Sequence, residues 1–240
     1  MGAALGWGAI AASSLVLGSL LAFARTWSAA LIGLILAFGA GALISAISFE
    51  LAEEGIAIGS PGTVGLGLAL GAATYFLADG LIARRTESGA GSSGGQGEGS
   101  GKSLALGSFL DGIPEQLVLG IGLAGGAPVS VALLVAIFVS NLPEGIGASV
   151  DMKASGMPRD RIVRLFVAVA VVCTLASGIG YAIADSVSAD LQACINGFAA
   201  GALLVMLIDS MIPESRSKGG RAAGLIAVVG FAVATALSHV

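Results

Sequence analysis

An all-α integral membrane protein with eight transmembrane helices is the fold class the sequence predicts. Three observations lead there. Of the 240 residues, 56% are hydrophobic and 11% are charged, whereas soluble domains carry about 25% charged residues. Eight apolar runs, at about 2–23, 29–50, 62–83, 104–123, 127–148, 162–184, 191–212 and 221–239, approach the roughly 20 residues that cross a hydrocarbon core. Once these spans are laid down, every basic residue falls in alternate connections. The chain reads as a single transmembrane domain over 1–240.

The elements follow in order. Span 1 has no basic residue before it, so it is expected to be retained rather than cleaved as a signal peptide. Trp7 and Trp27 suit the membrane–water boundary, where an amphipathic ring is at home. Span 2 runs into Glu50, Glu53 and Glu54, either a solvated helix end or an entrance that attracts cations. Span 3 carries Asp79 near its end, either an interfacial acid close to Arg84 and Arg85 or a group on an exit path. The stretch "RRTESGAGSSGGQGEGSGK", Arg84 to Lys102, reads as a flexible loop occupying about 84–103. Cys173 and Cys194 lie in or beside apolar segments and form neither a disulfide framework nor a CxxC motif. They read as small packing residues. Asp209 sits near the end of span 7. His239, the single histidine, lies at the C-terminus and reads as incidental.

Charge fixes the expected orientation. With the N-terminus outside, the inner connections hold Arg25; then Arg84, Arg85 and Lys102; then Lys153, Arg159, Arg161 and Arg164; then Arg216, Lys218 and Arg221. These are all 11 basic residues, as the positive-inside rule requires. Both termini are therefore expected outside the cytoplasm and the 84–103 loop within it.

The chain also repeats itself. "AFGAGALISAISFELAEE" (37–54) aligns without gaps on "GFAAGALLVMLIDSMIPE" (197–214), pairing Phe38 with Phe198, Gly41 with Gly201 and Glu54 with Glu214. Span 2 runs outward and span 7 inward, so the repeat is inverted. Spans 1–3 then mirror spans 6–8, spans 4 and 5 remain as a central pair, and sites favour the midplane between such halves.

That central pair carries the chemistry. Span 4 contains "LDGIPEQLVLG", with Asp111, Pro114 and Glu115; span 5 contains "SNLPEGIG", with Ser140, Asn141, Pro143 and Glu144. Asp111 and Glu115 are four residues apart, as are Ser140 and Glu144, so each set shares one helix face. Pro114 and Pro143 have no N–H to give to the carbonyls of Leu110 and Val139. The same words could start helices, with Asp or Asn as N-cap and Pro in the first turn, but a break at residue 112 would leave too short a span before it. No basic residue lies in the interior of a span, so a bound cation or a proton is left to neutralise these acids. Intramembrane carboxylates of this kind mark functional sites, and an oxygen-rich set suits a hard or borderline cation.

Paired Pro-Glu motifs on spans 4 and 5 of an eight-span chain resemble the ZIP (zinc/iron-regulated transporter-like) family of divalent metal transporters. The span-2 stretch and "DSMIPES" on span 7 resemble it too, as does the variable loop between spans 3 and 4. The resemblance covers nearly the whole chain. It implies a 3+2+3 helix arrangement and a metal site between spans 4 and 5 built from Asp111, Glu115, Ser140, Asn141 and Glu144, with Glu50, Asp79 and Asp209 on the pathway. The chain departs from the family pattern in three respects. Asp111 stands where the family usually has His. Gly112 stands where it has Asn. Near that level span 6 offers only Cys173, Thr174 and Ser177. One metal is then more economical than two, and Asn at 112 is expected to fold and to restore a ligand for a second.

The implied function is a carrier moving divalent metal into the cytoplasm across the cell membrane, zinc by family default and Mn or Fe on the strength of oxygen-only ligands. The metal is the transported substrate, and no cofactor is expected. The alternatives are a transport-inactive metal-binding or regulatory relative and an intramembrane metal-dependent hydrolase. The hydrolase is disfavoured because no span holds a histidine or an HExxH motif. The expected partners are the metal ion and the lipid bilayer, a homodimer stays open, and no nucleic acid is expected.

Overall fold

The computed structural model describes residues 1–89, 112–124, 130–184 and 186–238. All regular structure among them is helical. Eight helices follow the eight apolar runs: α1 (Gly2–Ala24), α2 (Ala29–Ile58), α3 (Pro61–Gly89), α4 (Gly112–Ala124), α5 (Val131–Ala154), α6 (Arg159–Ala184), α7 (Ala189–Gly219) and α8 (Ala222–Leu237). Six hold stretches long and apolar enough to cross a membrane, while α4 and α8 are shorter apolar helices. The 90–103 part of the linker, the expected start of span 4 (Asp111 included), Asp185 and His239 lie outside the described residues.

Several helices outrun the apolar stretches that announce them. α2 continues past Glu50 to Ile58, α5 past Ala148 to Ala154, and α7 past Ile212 to Gly219. Hydropathy ends where polar residues begin, but a helix ends where its backbone finds a stop. α5 stops before Gly156 (φ 84°) and α7 before Gly220 (φ 63°), left-handed conformations that favour glycine. The starts are set by hydroxyls. Ser28, Ser130 and Ser188 accept from the N–H groups of Leu31, Leu133 and Leu191, one of the orphan donors at each helix start. At α3, Ser60 and Thr63 cap each other reciprocally ahead of Pro61.

The inverted repeat has a structural counterpart. α2 carries a π-helical segment over Ile47–Glu53, and α7 carries one over Leu207–Met211. Both begin at the same place in the repeat, since residue 47 aligns on residue 207. Insertions of this type recur at functional sites. The packing is paired in the same way. α2 lies against α8, and α7 against α3. At equivalent positions Gly41 meets the backbone carbonyl of Ala227 and Gly201 meets that of Leu68. Each pair is in backbone contact that any side chain would block, which is how helices associate where lipid supplies no hydrophobic drive.

Tertiary contacts also sort the helix ends. Lys153 at the end of α5 and Arg159 at the start of α6 both reach Phe23 at the end of α1. Lys218 at the end of α7 packs on Gly33 near the start of α2. These basic ends therefore share one end of the bundle. At the other end, Gly59 beyond α2 meets Ala193 near the start of α7, and Met1 lies near Gly178 of α6.

Candidate metal site

α5 is the best-anchored part of the central pair. α1 grips it where Gly18 meets the Leu142 carbonyl and Gly145 would place a Cβ 2.7 Å from the Leu15 carbonyl. α2 grips it where a Cβ on Gly39 would stand 2.9 Å from Ser140 Cα and 3.3 Å from the Val139 carbonyl oxygen. That carbonyl is the one Pro143 cannot serve as a helical donor. The helix nevertheless runs through Pro143 without a break. Neighbouring helices thus hold a proline-containing segment in place, as membrane proteins require.

On this segment Ser140 and Asn141 are buried at 1% and 4% exposure, and Glu144 is half-buried. Ser140 Oγ donates to the Ile137 carbonyl at 3.1 Å, which leaves its lone pairs available as acceptors. Leu133, Ile137, Ser140 and Glu144 follow one helical stripe, and Leu133 and Ile137 belong to the main core cluster. On α4, Glu115 is 1% exposed and shares its stripe with Val118 and Leu119, members of the same cluster. The two Pro-Glu stripes therefore run into one core. Asp111, the remaining expected ligand, lies outside the described residues. Among the described residues no three His, Cys, Asp or Glu side chains come together. The acids of the expected set are split between helices and supplemented by an amide and a hydroxyl.

The other face of α4 packs on α6. Gly120 meets the Ser177 carbonyl, Gly180 meets the Leu117 carbonyl, and a Cβ on Gly112 would stand 2.6 Å from Cys173 Sγ. Cys173 is buried. This bears on one expectation. Any side chain at position 112, Asn included, requires Cys173 Sγ to move aside, because ordinary carbon contacts need about 3.5–4.0 Å. The sequence could not show this, because the two residues meet only through helix contact.

Two polar groups escaped the sequence reading. Gln116 and Ser149 are fully buried, and neither the amide nor the hydroxyl has a hydrogen-bond partner among the described residues. Gln116 follows Glu115 and points toward Gly8 and Ser177; Ser149 lies five residues beyond Glu144. Unpartnered buried groups cost about 1–3 kcal/mol each and are normally accounted for by water or an ion. Their signal in the sequence was weak: single polar residues next to a stronger motif. Glu214 also comes close. Its Oε1 is 4.0 Å from where a Gly147 Cβ would be, one turn past Glu144, and it accepts a 2.6 Å hydrogen bond from Lys218.

Of the expected pathway acids, Glu50 is half-buried within the π-helical segment of α2. Asp79 and Asp209 are exposed on the outside of the bundle, Asp209 beside the outward-facing Ile208 and Ile212. The structure does not bring either of them to the central pair.

Comparison with known families bears on what this arrangement is. The family model described as "ZIP Zinc transporter" matches residues 79–238, a stretch containing both Pro-Glu helices and the second half of the repeat. The chain belongs to the ZIP zinc transporter family. No curated protein matches it. The ZIP match leaves out α1, α2 and most of α3, and the repeat extends its reach: α2 mirrors α7 in sequence and in the position of its π-helical segment. As a ZIP member with apolar helices long enough to cross a bilayer, the chain is a multi-pass membrane metal transporter. A divalent metal ion is its substrate rather than a resident cofactor.

Proposed function

We propose that this ZIP member carries a divalent metal ion into the cytoplasm through one site between α4 and α5. Glu115 and Glu144 are its principal ligands, completed by Asp111, Asn141 and Ser140. The observation that supports the reading is the oxygen-only stripe on two proline-bearing helices, with Glu115, Ser140 and Asn141 buried and Glu144 half-buried. Ionisable groups held inside membrane helices mark ion pathways, and carboxylate, amide and hydroxyl oxygens are ligands for a divalent cation. Unpartnered Gln116 and Ser149 support a hydrated route on either side of it.

Ion preference follows from the donors. Carboxylate, amide and hydroxyl oxygens suit Mn²⁺ or Fe²⁺ better than an imidazole-bearing site would, while zinc remains the family's metal. The basic end of the bundle faces the cytoplasm, so both termini are outside, and inward is the direction that the family resemblance implies. Glu50, Glu53 and Glu54 would stand at the entrance and Glu214 on the way out. Asp79 and Asp209 would serve the pathway only from the bundle's outer surface.

Uptake into proteoliposomes holding an internal metal-sensitive dye tests this. Wild-type protein should accumulate Zn²⁺ and Mn²⁺ well above empty vesicles, each competing with the other. Metal binding without uptake would identify a transport-inactive relative.

A further inference from the structure

The basic end of the bundle holds a cluster that transport does not use. Phe23 is a partly buried side chain at the end of α1, packed on the cluster containing Ile162 and Phe166. The Lys153 ammonium and the Arg159 guanidinium both lie over its ring, each 5.5 Å from the centroid. Two residues past Phe23, the Arg25 guanidinium lies 4.6 Å from the Trp27 ring centroid. The Trp27 ring is fixed in turn by its Nε1–H, which donates to the Leu21 carbonyl at 2.9 Å. Attraction to a ring face explains each contact singly. It does not explain why two cations from different helices share one ring. They repel each other at this spacing, within about a Debye length. Among the described residues none of the three has a carboxylate partner, whereas at the same end Arg164 pairs with Asp160 and Lys218 with Glu214.

We infer that Arg25, Lys153 and Arg159 form a binding site for the headgroup phosphate of an anionic phospholipid. Three features select that occupant. The three charges are exposed and call for an anion. Of the rings beneath them, Trp27 is of the amphipathic kind that sits at headgroup level. The cluster lies at the end of spans α1, α5 and α6, where acyl chains run alongside the apolar helix faces. Guanidinium groups suit a phosphate oxygen pair and an ammonium suits a single oxygen. The site joins the ends of α1 and α5, the pair whose backbone contact at Gly18 and Gly145 holds Glu144 in place. A lipid here braces that contact. The assignment does not depend on the transport reading.

Fluorescence quenching tests it. The chain has two tryptophans, so a Trp7→Phe variant leaves Trp27 as the reporter beside Arg25. The full-length protein is placed in phosphatidylcholine vesicles containing either brominated phosphatidylglycerol or brominated phosphatidylcholine at equal mole fraction. Phosphatidylglycerol should quench Trp27 at a much lower fraction. Replacing Lys153 and Arg159 by Gln should reduce that preference roughly thirtyfold, given the usual contribution of a basic residue at an anionic surface. Arg164→Gln removes a charge from the same end that is paired with Asp160, and should leave the preference unchanged. Inorganic phosphate at millimolar concentration should not reverse the quenching, since the occupant is a lipid. Equal quenching by the two lipids in the Trp7→Phe protein would overturn the assignment whether or not the Gln variant folds. So would an Arg164→Gln loss as large as that of the double variant, because the effect would then be general surface charge.

Discussion

Placing a methyl group on Gly112 tests the α4–α6 packing that separates this chain from the family pattern. In Gly112→Ala the new carbon would stand 2.6 Å from Cys173 Sγ, and the next atom, Cys173 Cβ, is 4.0 Å away. The overlap is thus with one atom, about 1 Å inside ordinary contact. Relief requires Cys173 to leave its rotamer in a buried setting or the helices to part, and overpacking of this kind costs about 1–3 kcal/mol. Cys173→Ala removes the offending atom. Alone it costs roughly 1 kcal/mol, for a buried group the size of a methylene. Together the two changes leave the nearest contact at 4.0 Å, so the double variant should be more stable than the sum of the single losses, with a coupling of about 0.5–3 kcal/mol. At about 2–4 °C per kcal/mol for a chain this size, Gly112→Ala should lower the unfolding midpoint by roughly 2–12 °C, and Cys173→Ala should restore part of it. Purified variants in one detergent, heated at one rate, supply the four midpoints. Additive effects, or a harmless Gly112→Ala, would refute the packing. If the coupling holds, Gly112→Asn should be tolerated only with Cys173→Ala, and that pair may then be assayed for a second bound metal.

Three further outcomes are expected. Single cysteines placed between residues 86 and 101, in a Cys173→Ala/Cys194→Ala background, should resist an impermeant thiol reagent in intact cells and react after permeabilisation; labelling from outside would reverse the orientation. Gly41→Val and Gly201→Val should both abolish the monodisperse folded peak in size-exclusion chromatography, since each β-carbon would overlap a backbone carbonyl, of Ala227 or Leu68. A wild-type profile from either would contradict the paired contact. Asp111→His should raise Zn²⁺ affinity relative to Mn²⁺, because imidazole suits zinc; an unchanged ratio in a competition titration would remove Asp111 from the ligand set.

Much of the architecture was legible because it rests on one-dimensional signals. Hydropathy located the helices, basic residues marked the shared end later seen around Phe23, and the gapless repeat paired α2 with α7, whose π-helical segments begin at equivalent positions. Helix ends were less legible. Apolar character stopped at Glu50 while the α2 backbone continued to Ile58, because polar side chains do not interrupt backbone hydrogen bonding. In the central pair, spacing put Ser140, Asn141 and Glu144 on one side of α5; Ser140 and Asn141 are buried there and Glu144 is half-buried. Contacts between helices were not legible. Cys173 against Gly112 and Gln116 against Gly8 and Ser177 arise from how α1, α4 and α6 nest. Asp209, a position favoured by resemblance, is exposed within the π-helical segment of α7.

The most direct measurement is metal uptake and equilibrium metal binding by Glu115→Gln and Glu144→Gln in the same proteoliposome preparation, with Asp190→Asn, an exposed acid in the first turn of α7, as the reference. Gln keeps size and removes charge, so folding should survive while the cation loses its counter-charge. Both central variants should lose uptake and bind metal at least tenfold more weakly, and Asp190→Asn should behave much like wild type. Near wild-type uptake by both central variants would contradict the account and make the buried carboxylates structural.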